Sequence, residues 1–337
     1  MTDRARRLDA FLETAGWGGA GRAGLANDAS FRHYLRLDDG PRNAILMDAP
    51  PPHENTRAFV TIARHLRRLG LSAPKVHAED TKNGFLVIED LGDATYTRIL
   101  NGTTKQQPEE STLYALAVDV LIHLHRLAPD DAIPAGLAPY DDATLIDEAN
   151  LLIDWALPAA SGHPIPEEAR RSYAEAWRST LPTLHAQPRT LVLRDYHVDN
   201  LMWLDGRDGV AACGLLDFQD ALDGPAAYDL MSLLEDARRD IDAGLADAMK
   251  TRYRAAFPGL DRQGFDDSYA ILAAQRHAKV IGIFTRLSQR DGKPDYLIHI
   301  PRVWRLLEAA LRYPSLGPVA DWFARHVPPS ARRWPHE

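Results

Sequence analysis

A single cysteine, Cys213, excludes a disulfide within the chain, and its place in the apolar run "VAACGLLDF" leads us to expect a buried, inert thiol. Positive charge is not in excess either. Lys and Arg number 39 against 47 Asp and Glu, and a net charge of −8 argues against nonspecific binding to nucleic acid through a basic face. No window approaches the roughly 18 consecutive apolar residues of a membrane span. The opening "MTDRARRLDAFLE" lacks the apolar stretch of a secretory signal, so a cytoplasmic protein with no membrane association is expected. Repeats and low-complexity tracts are missing. What is present is the composition of an ordinary globular enzyme, 45% apolar and 26% charged, in a chain long enough for one large domain or two lobes.

The residue pattern changes along the chain. "SFRHYLRL" and "NAILM", separated by the turn-forming "DDGPR", read as two strands of a hairpin. "ENTRAFVTIARHLRRLGL" places Phe59, Ile62, Ala63, Leu66 and Leu69 at helical spacing and stops near Gly70. "GFLVIEDLG" is a strand that runs into a glycine turn. Strands, a helix and another strand make a small α+β lobe over residues 1–92, with a hinge at about 88–93. Residues 93–337 read as a larger, mainly helical lobe. There "STLYALAVDVLIHLHRL" and "PEEARRSYAEAWRST" are helices, and four further helical patterns run to the end, the last around "RVWRLLEAALRY". An active site is expected in a cleft between two such lobes.

Short strands interrupt the helical part at "LVLRDYHVDNLMW" and "VAACGLLDF", with "DGRDG" as a hairpin connection. Asp195, Asn200 and Asp217 then fall on loops that follow strands of one hairpin-like unit. Asp and Asn are common turn formers, and D-x-x-x-x-N alone occurs by chance. Flanking strands and a strand-ending acid 17 residues past Asn200 favour chemistry. Phosphoryl transfer needs one carboxylate to orient a hydroxyl or receive its proton, and an amide oxygen with a second carboxylate to hold Mg²⁺ on nucleotide phosphates. No Cys/His set competes for a softer metal. His123 and His125, two apart on a helix, point to roughly opposite sides and cannot share an ion. "DGK" at 291–293 lacks the spacing of a phosphate-binding loop.

"LRDYHVDNLMW" followed by "LLDFQDA" resembles the catalytic and metal loops of the aminoglycoside phosphotransferase family, small-molecule relatives of the protein kinases. The resemblance implies a two-lobed α+β kinase-like fold, ATP and Mg²⁺ as cofactors, Asp195 as catalytic residue, and Asn200 and Asp217 as metal ligands. It implies that Asp229, in "GPAAYDLMSLLEDAR", shapes the loop. "LANDASFRHYLRL" is similar to the phosphate-covering hairpin, with Asn27 and Asp28 in the turn and Ala29 and Ser30 facing phosphate; a plain surface hairpin is the other reading. "LVIEDLG" resembles the hinge, where backbone groups near Glu89 and Leu91 would read the adenine edge. The family's phosphate-binding lysine falls at Met47, which cannot pair with phosphate, so Arg32 or another cation takes its place or the lobe binds nucleotide differently. Leu193 stands where the family has a histidine. Missing lysine suggests a non-catalytic nucleotide-binding module, and retention of all three acid and amide groups argues the other way.

"NDASFR", "LMDAPPP" and "GIFTRLSQRDGKPDYLIHIPRVW" are similar to one branch, the anomeric amino-sugar kinases of bacterial cell-wall recycling, which phosphorylate N-acetylmuramate and N-acetylglucosamine at C1 with ATP. Arg238, Arg239, Arg276, Lys279, Arg286, Arg290, Lys293 and Arg302 suit a neutral or anionic small molecule better than a polycation, though a solvated helix face explains any one of them. His197, Asp199, Asp220, Asp229 and Arg238 are the candidate acceptor contacts, with a structural role favoured for His197. Aminoglycoside, choline and homoserine remain alternative acceptors. A protein substrate is disfavoured, because no long segment separates Asp217 from the Gly224-Pro225 turn. No obligate protein partner is apparent.

Overall fold

The computed structural model describes residues 2–25, 32–52, 54–105 and 108–333. The chain forms two compact units, residues 1–124 with 198–221, and residues 125–197 with 222–337.

The first unit is built on a five-stranded antiparallel sheet. Its strands are β1 (Gly21–Gly24), β2 (His33–Asp38), β3 (Asn43–Asp48), β4 (Val76–Asp80) and β5 (Phe85–Ile88), in the order β1-β2-β3-β5-β4. β3 and β5 lie inside the sheet, which explains their unbroken apolar runs: Ala44 through Met47 and Phe85 through Ile88 are all buried. On one face Leu37, Ala44, Leu46, Phe85 and Val87 pack with Leu8, Leu12 and Trp17. Leu8 and Leu12 come from the helix Asp3–Thr14, which the sequence reading did not single out although Leu8, Phe11 and Leu12 carry its spacing. By strand alternation Ile45, Met47, Leu86 and Ile88 turn to the other face. The expected helix runs Thr56–Arg68, starts on an Asn55 cap whose side chain accepts from Arg57 N, and buries Phe59, Ile62, Ala63 and Leu66. Each large side chain among them contributes about 1.5–3 kcal/mol. The β4–β5 turn needs glycine at 84: φ is +77° and a Cβ would meet Ala49 O at 1.9 Å. The unit also contains the two-stranded ladder Leu201–Trp203 with Cys213–Leu215, the hairpin expected around "DGRDG". Cys213 is buried, as expected of an inert thiol.

The second unit is helical around one long spine, Arg262–Asp291. Asp261 caps its start by accepting from Gly264 N, and Gly292 ends it in the left-handed region. The spine packs on helices Asp142–Leu151, Ala227–Leu234 and Ile300–Ala310. At Gly282 a Cβ would meet Leu151 C at 2.2 Å, so only glycine permits that crossing. Two expectations fail here. The run Leu191-Val192 does not belong to the 201–215 hairpin; the strand Arg189–Val192 pairs antiparallel with Leu222–Pro225, whose Asp, Gly and Pro disguise it as a turn. A fifth helix, Gly317–His326, also follows "RVWRLLEAALRY", burying Val319, Trp322 and Phe323. Among the described residues no helix is long and apolar enough to cross a membrane.

Candidate active site

In the second unit the strand Arg189–Val192 ends in a tight turn. Asp195 N donates to Leu193 O at 2.9 Å, and Arg194 adopts φ 69°. A side chain in that region costs about 1–2 kcal/mol unless its surroundings enforce it. Asp229 enforces it: its two carboxylate oxygens accept from Leu193 N at 2.6 Å and Arg194 N at 3.0 Å. Burial pushes the Asp229 carboxyl up to about 7, against the pull of those two amides and of Arg276. At 1% exposure the Asp229 side chain is buried against this turn.

The Arg194 side chain is fixed as well. It pairs with Glu148, which also accepts from Lys279 Nζ at 2.7 Å, from Gln275 Nε2 at 3.2 Å and from the Tyr140 hydroxyl. Burial would raise the Glu148 carboxyl, but Lys279 and Arg194 hold it below its ordinary value. Asp195 is thereby presented with its side chain 41% exposed and Arg276 Nη2 at 3.8 Å. Burial again works upward, and Arg276, Lys279, His197 and Arg194 outweigh it, so the carboxyl titrates below the usual range and is ionised at neutral pH. His197 is buried, with a depressed pKa caused mainly by burial, and its Nε2 lies 3.4 Å from Arg238 Nη1. The Arg238 guanidinium lies 5.9 Å from the Phe284 ring centre and 5.8 Å from that of Tyr296. The cationic cluster expected of the C-terminal helices is thus divided. Lys279 is matched by Glu148, Arg290 by Asp291, and Arg302 by Asp240, whereas Arg276 and Arg238 stand beside Asp195 and His197.

In the first unit Asn200 and Asp217 flank one ladder. Leu216 N donates to Asn200 O at 2.9 Å, which sets the two candidate metal ligands at neighbouring positions. Asp217 has φ 55°, another residue held in the left-handed region. Its Oδ1 accepts from Arg32 Nη1 at 3.1 Å and Gln219 Nε2 at 2.9 Å. One amide and one carboxylate on adjacent turns are the hard oxygen donors that Mg²⁺ takes, so the residues present fit that ion. Asp199 accepts from the Thr97 hydroxyl, and exposed Asp220 accepts from Gln219 Nε2 at 3.2 Å. His123 and His125 have separate partners, Leu69 O and the Tyr253 hydroxyl.

Of the expected nucleotide contacts, Asn27, Asp28, Ala29 and Ser30 lie outside the described residues. Met47 is 1% exposed near the end of β3, opposite Tyr34 and Leu86. The Glu89 carboxylate accepts from Arg207, Arg67 and Lys75 N, while Glu89 N donates to Lys75 O. Leu91 packs close to Gly214.

Residues 22–264, a span that contains Asp195, Asn200 and Asp217, match the profile of the phosphotransferase enzyme family. The chain belongs to that family. It is 36% identical to an N-acetylmuramate/N-acetylglucosamine kinase of Caulobacter vibrioides, over 98% of this chain and 99% of the relative. It is also 36% identical to a Pseudomonas aeruginosa protein of the same name, over 96% and 98%. Its fold is similar to that of an ADP-bound aminoglycoside phosphotransferase, with a TM-score of 0.59 at 15% identity over 92% of this chain and 98% of the other. The two-lobed kinase-like α+β class expected from the motifs is the class of this family member. The sequence reading passed over Glu148, Tyr140 and Gln275 in this phosphotransferase. A lone Glu on a helix carries no signal until the fold brings two cations to it.

Proposed function

We propose that the protein transfers the γ-phosphate of ATP to the anomeric C1 hydroxyl of N-acetylmuramate and N-acetylglucosamine, with Mg²⁺, in the cytoplasmic recycling of cell-wall sugars. What carries this reading is near-full-length identity to kinases of that name in a chain that also presents an accessible, ionised carboxylate at Asp195. Asp195 receives or orients the acceptor proton, and fixed cations keep it ionised. Asn200 and Asp217 hold the metal, which neutralises charge on the phosphates when bound. Residues 1–92 serve as the nucleotide lobe, with backbone groups at Glu89 and Leu91 toward the base. Positioning and charge neutralisation, not covalent chemistry by the protein, supply most of the acceleration. The acceptor is a small molecule whose two forms differ by a lactyl carboxylate, and Arg238, with His197 beside it, is the cation we assign to that difference. An ADP-release assay with Mg·ATP against both amino sugars, choline, homoserine and kanamycin tests the proposal, followed by ³¹P NMR of the product. Turnover on the amino sugars with an anomeric phosphate is expected. Turnover on another acceptor instead would discard the sugar and keep the reaction class.

A further inference from the structure

If Met47 cannot meet a phosphate, some other group of the first unit must. The requirement is a cation that is buried, held by a carboxylate, and adjacent to the metal-binding acid. Most other arginines of the first unit pair with carboxylates other than Asp217: Arg4 with Asp48, Arg22 with Asp9, Arg36 with Asp90 and Asp93, Arg64 with Glu79, and Arg67 and Arg207 with Glu89. Arg32 differs. Its side chain is 11% exposed, its Nε donates to Glu54 Oε2 at 2.8 Å, and its Nη1 donates to Asp217 Oδ1 at 3.1 Å.

The strand register explains why this cation can do the work of a missing one. Tyr34 on β2 lies directly opposite Met47 on β3, so the two side chains share a face. Arg32 is two residues before Tyr34, and period-2 alternation continued by one step returns it to that face. The positive charge stands just ahead of β2 instead of near the end of β3. Glu54, just ahead of the Asn55 cap of helix Thr56–Arg68, is its anchor. Arginine suits the displaced position better than lysine would. Its planar fork can hold a carboxylate through Nε while terminal N–H groups turn to another anion, where an ammonium has one nitrogen for both tasks.

We propose that Arg32, anchored by Glu54, is the residue that binds the nucleotide phosphates in place of the absent lysine at position 47. This rests on the nucleotide-dependent reading above and adds to it a specific group. The test is equilibrium binding of Mg·ADP and of adenosine to the full chain by calorimetry. For Arg32→Met we expect Mg·ADP binding to weaken at least about tenfold, the scale of a charge-assisted hydrogen bond, with adenosine binding unchanged. Arg32→Lys should recover part of the loss, and Glu54→Gln should weaken Mg·ADP severalfold. Adding Met47→Lys to Arg32→Met should restore binding, because the new ammonium enters the same face. Adenosine binding by each variant reports that it is folded. If Arg32→Met binds Mg·ADP as tightly as the parent, the assignment is overturned while the kinase reading survives. If the parent binds no nucleotide at all, the kinase reading fails first and this one with it.

Discussion

At the scale of single residues, the functional argument turns on how Asp195 stays charged. Its carboxyl is partly enclosed, which by itself would favour the proton, and Arg276, Lys279, His197 and Arg194 reverse that preference. Asp195→Asn is therefore expected to lower kcat by about 10²- to 10⁴-fold, the range of a general acid–base contribution, with Mg·ADP affinity unchanged. Parallel kcat and calorimetric measurements check this, and equal turnover in variant and parent would refute the role. The same neighbours fix the pH dependence. Activity needs the ionised form, and a depressed folded pKa keeps that form populated as acid is added, so the acidic limb of kcat/KM should fall below the ordinary carboxylate range. Arg276 comes within 3.8 Å of the carboxylate and is the strongest of the charges acting on it. Arg276→Met should move the limb to higher pH. A limb that stays where it was would mean that another group sets it.

At the scale of elements, the loop depends on Asp229, in the first turn of the helix Ala227–Leu234. Asp229→Asn keeps one acceptor for two backbone amides and turns an NH₂ toward the other, leaving a buried donor without a partner at a cost of about 1–3 kcal/mol. The pH course has an unusual sign. The folded carboxyl titrates at about 7 against an ordinary 3.8, so between those values the folded chain holds a proton that the unfolded chain has released. This contribution to stability is whole below about pH 4 and is lost as pH rises through 7. The stability gap between parent and Asp229→Asn should accordingly shrink from pH 5 to pH 8, on the order of 2 kcal/mol, in urea titrations. A gap that does not change would show the carboxyl to be ionised throughout. The resemblance implied that Asp229 shapes the loop, but its two backbone partners and its burial were not legible in sequence. Local signals were legible: the alternation of β2, the apolar run of β3, the helical spacing of Thr56–Arg68, and the acid–amide–acid triplet around two short strands. Pairings across long separations were not. Arg32 meets Asp217 across 185 positions and Glu148 meets Arg194 across 46, and no periodicity encodes either. The strand Leu222–Pro225 was hidden for another reason. Its Asp, Gly and Pro have low strand propensity, and only pairing with Arg189–Val192 makes it a strand.

At the scale of the whole molecule, the chain passes from one compact unit to the other between His197 and Val198, two residues after Asp195 and two before Asn200. It passes back after Ala221, four residues beyond Asp217. The segment 198–221 is thus an integral part of the first unit although 73 residues of the second precede it. Its bonds say how much it contributes. Leu215 N donates to Ser72 O at 2.9 Å, the Ser72 hydroxyl donates to Ala211 O at 2.6 Å, and Trp203 N donates to Ala94 O at 2.8 Å. Arg207 pairs with Glu89, and the Phe218 ring packs on Phe59 at 4.9 Å. Without the segment, Phe59 loses its aromatic neighbour, at about 0.5–1.5 kcal/mol beyond the area it buries, and two buried hydrogen-bonding groups lose partners at about 1–3 kcal/mol each. Domains are stable by only 5–15 kcal/mol, so that sum is a large share of the total. A fragment of residues 1–124 is therefore expected to show no cooperative thermal transition by circular dichroism, although it holds all five strands of the sheet and its helices. Adding a synthetic peptide of residues 198–221 should produce one. A sharp transition in the fragment alone would mean that the sheet and its helices fold before the segment carrying Asn200 and Asp217 joins them. Its absence would mean that Asn200 and Asp217, the candidate metal ligands, are built into the folding of the first unit.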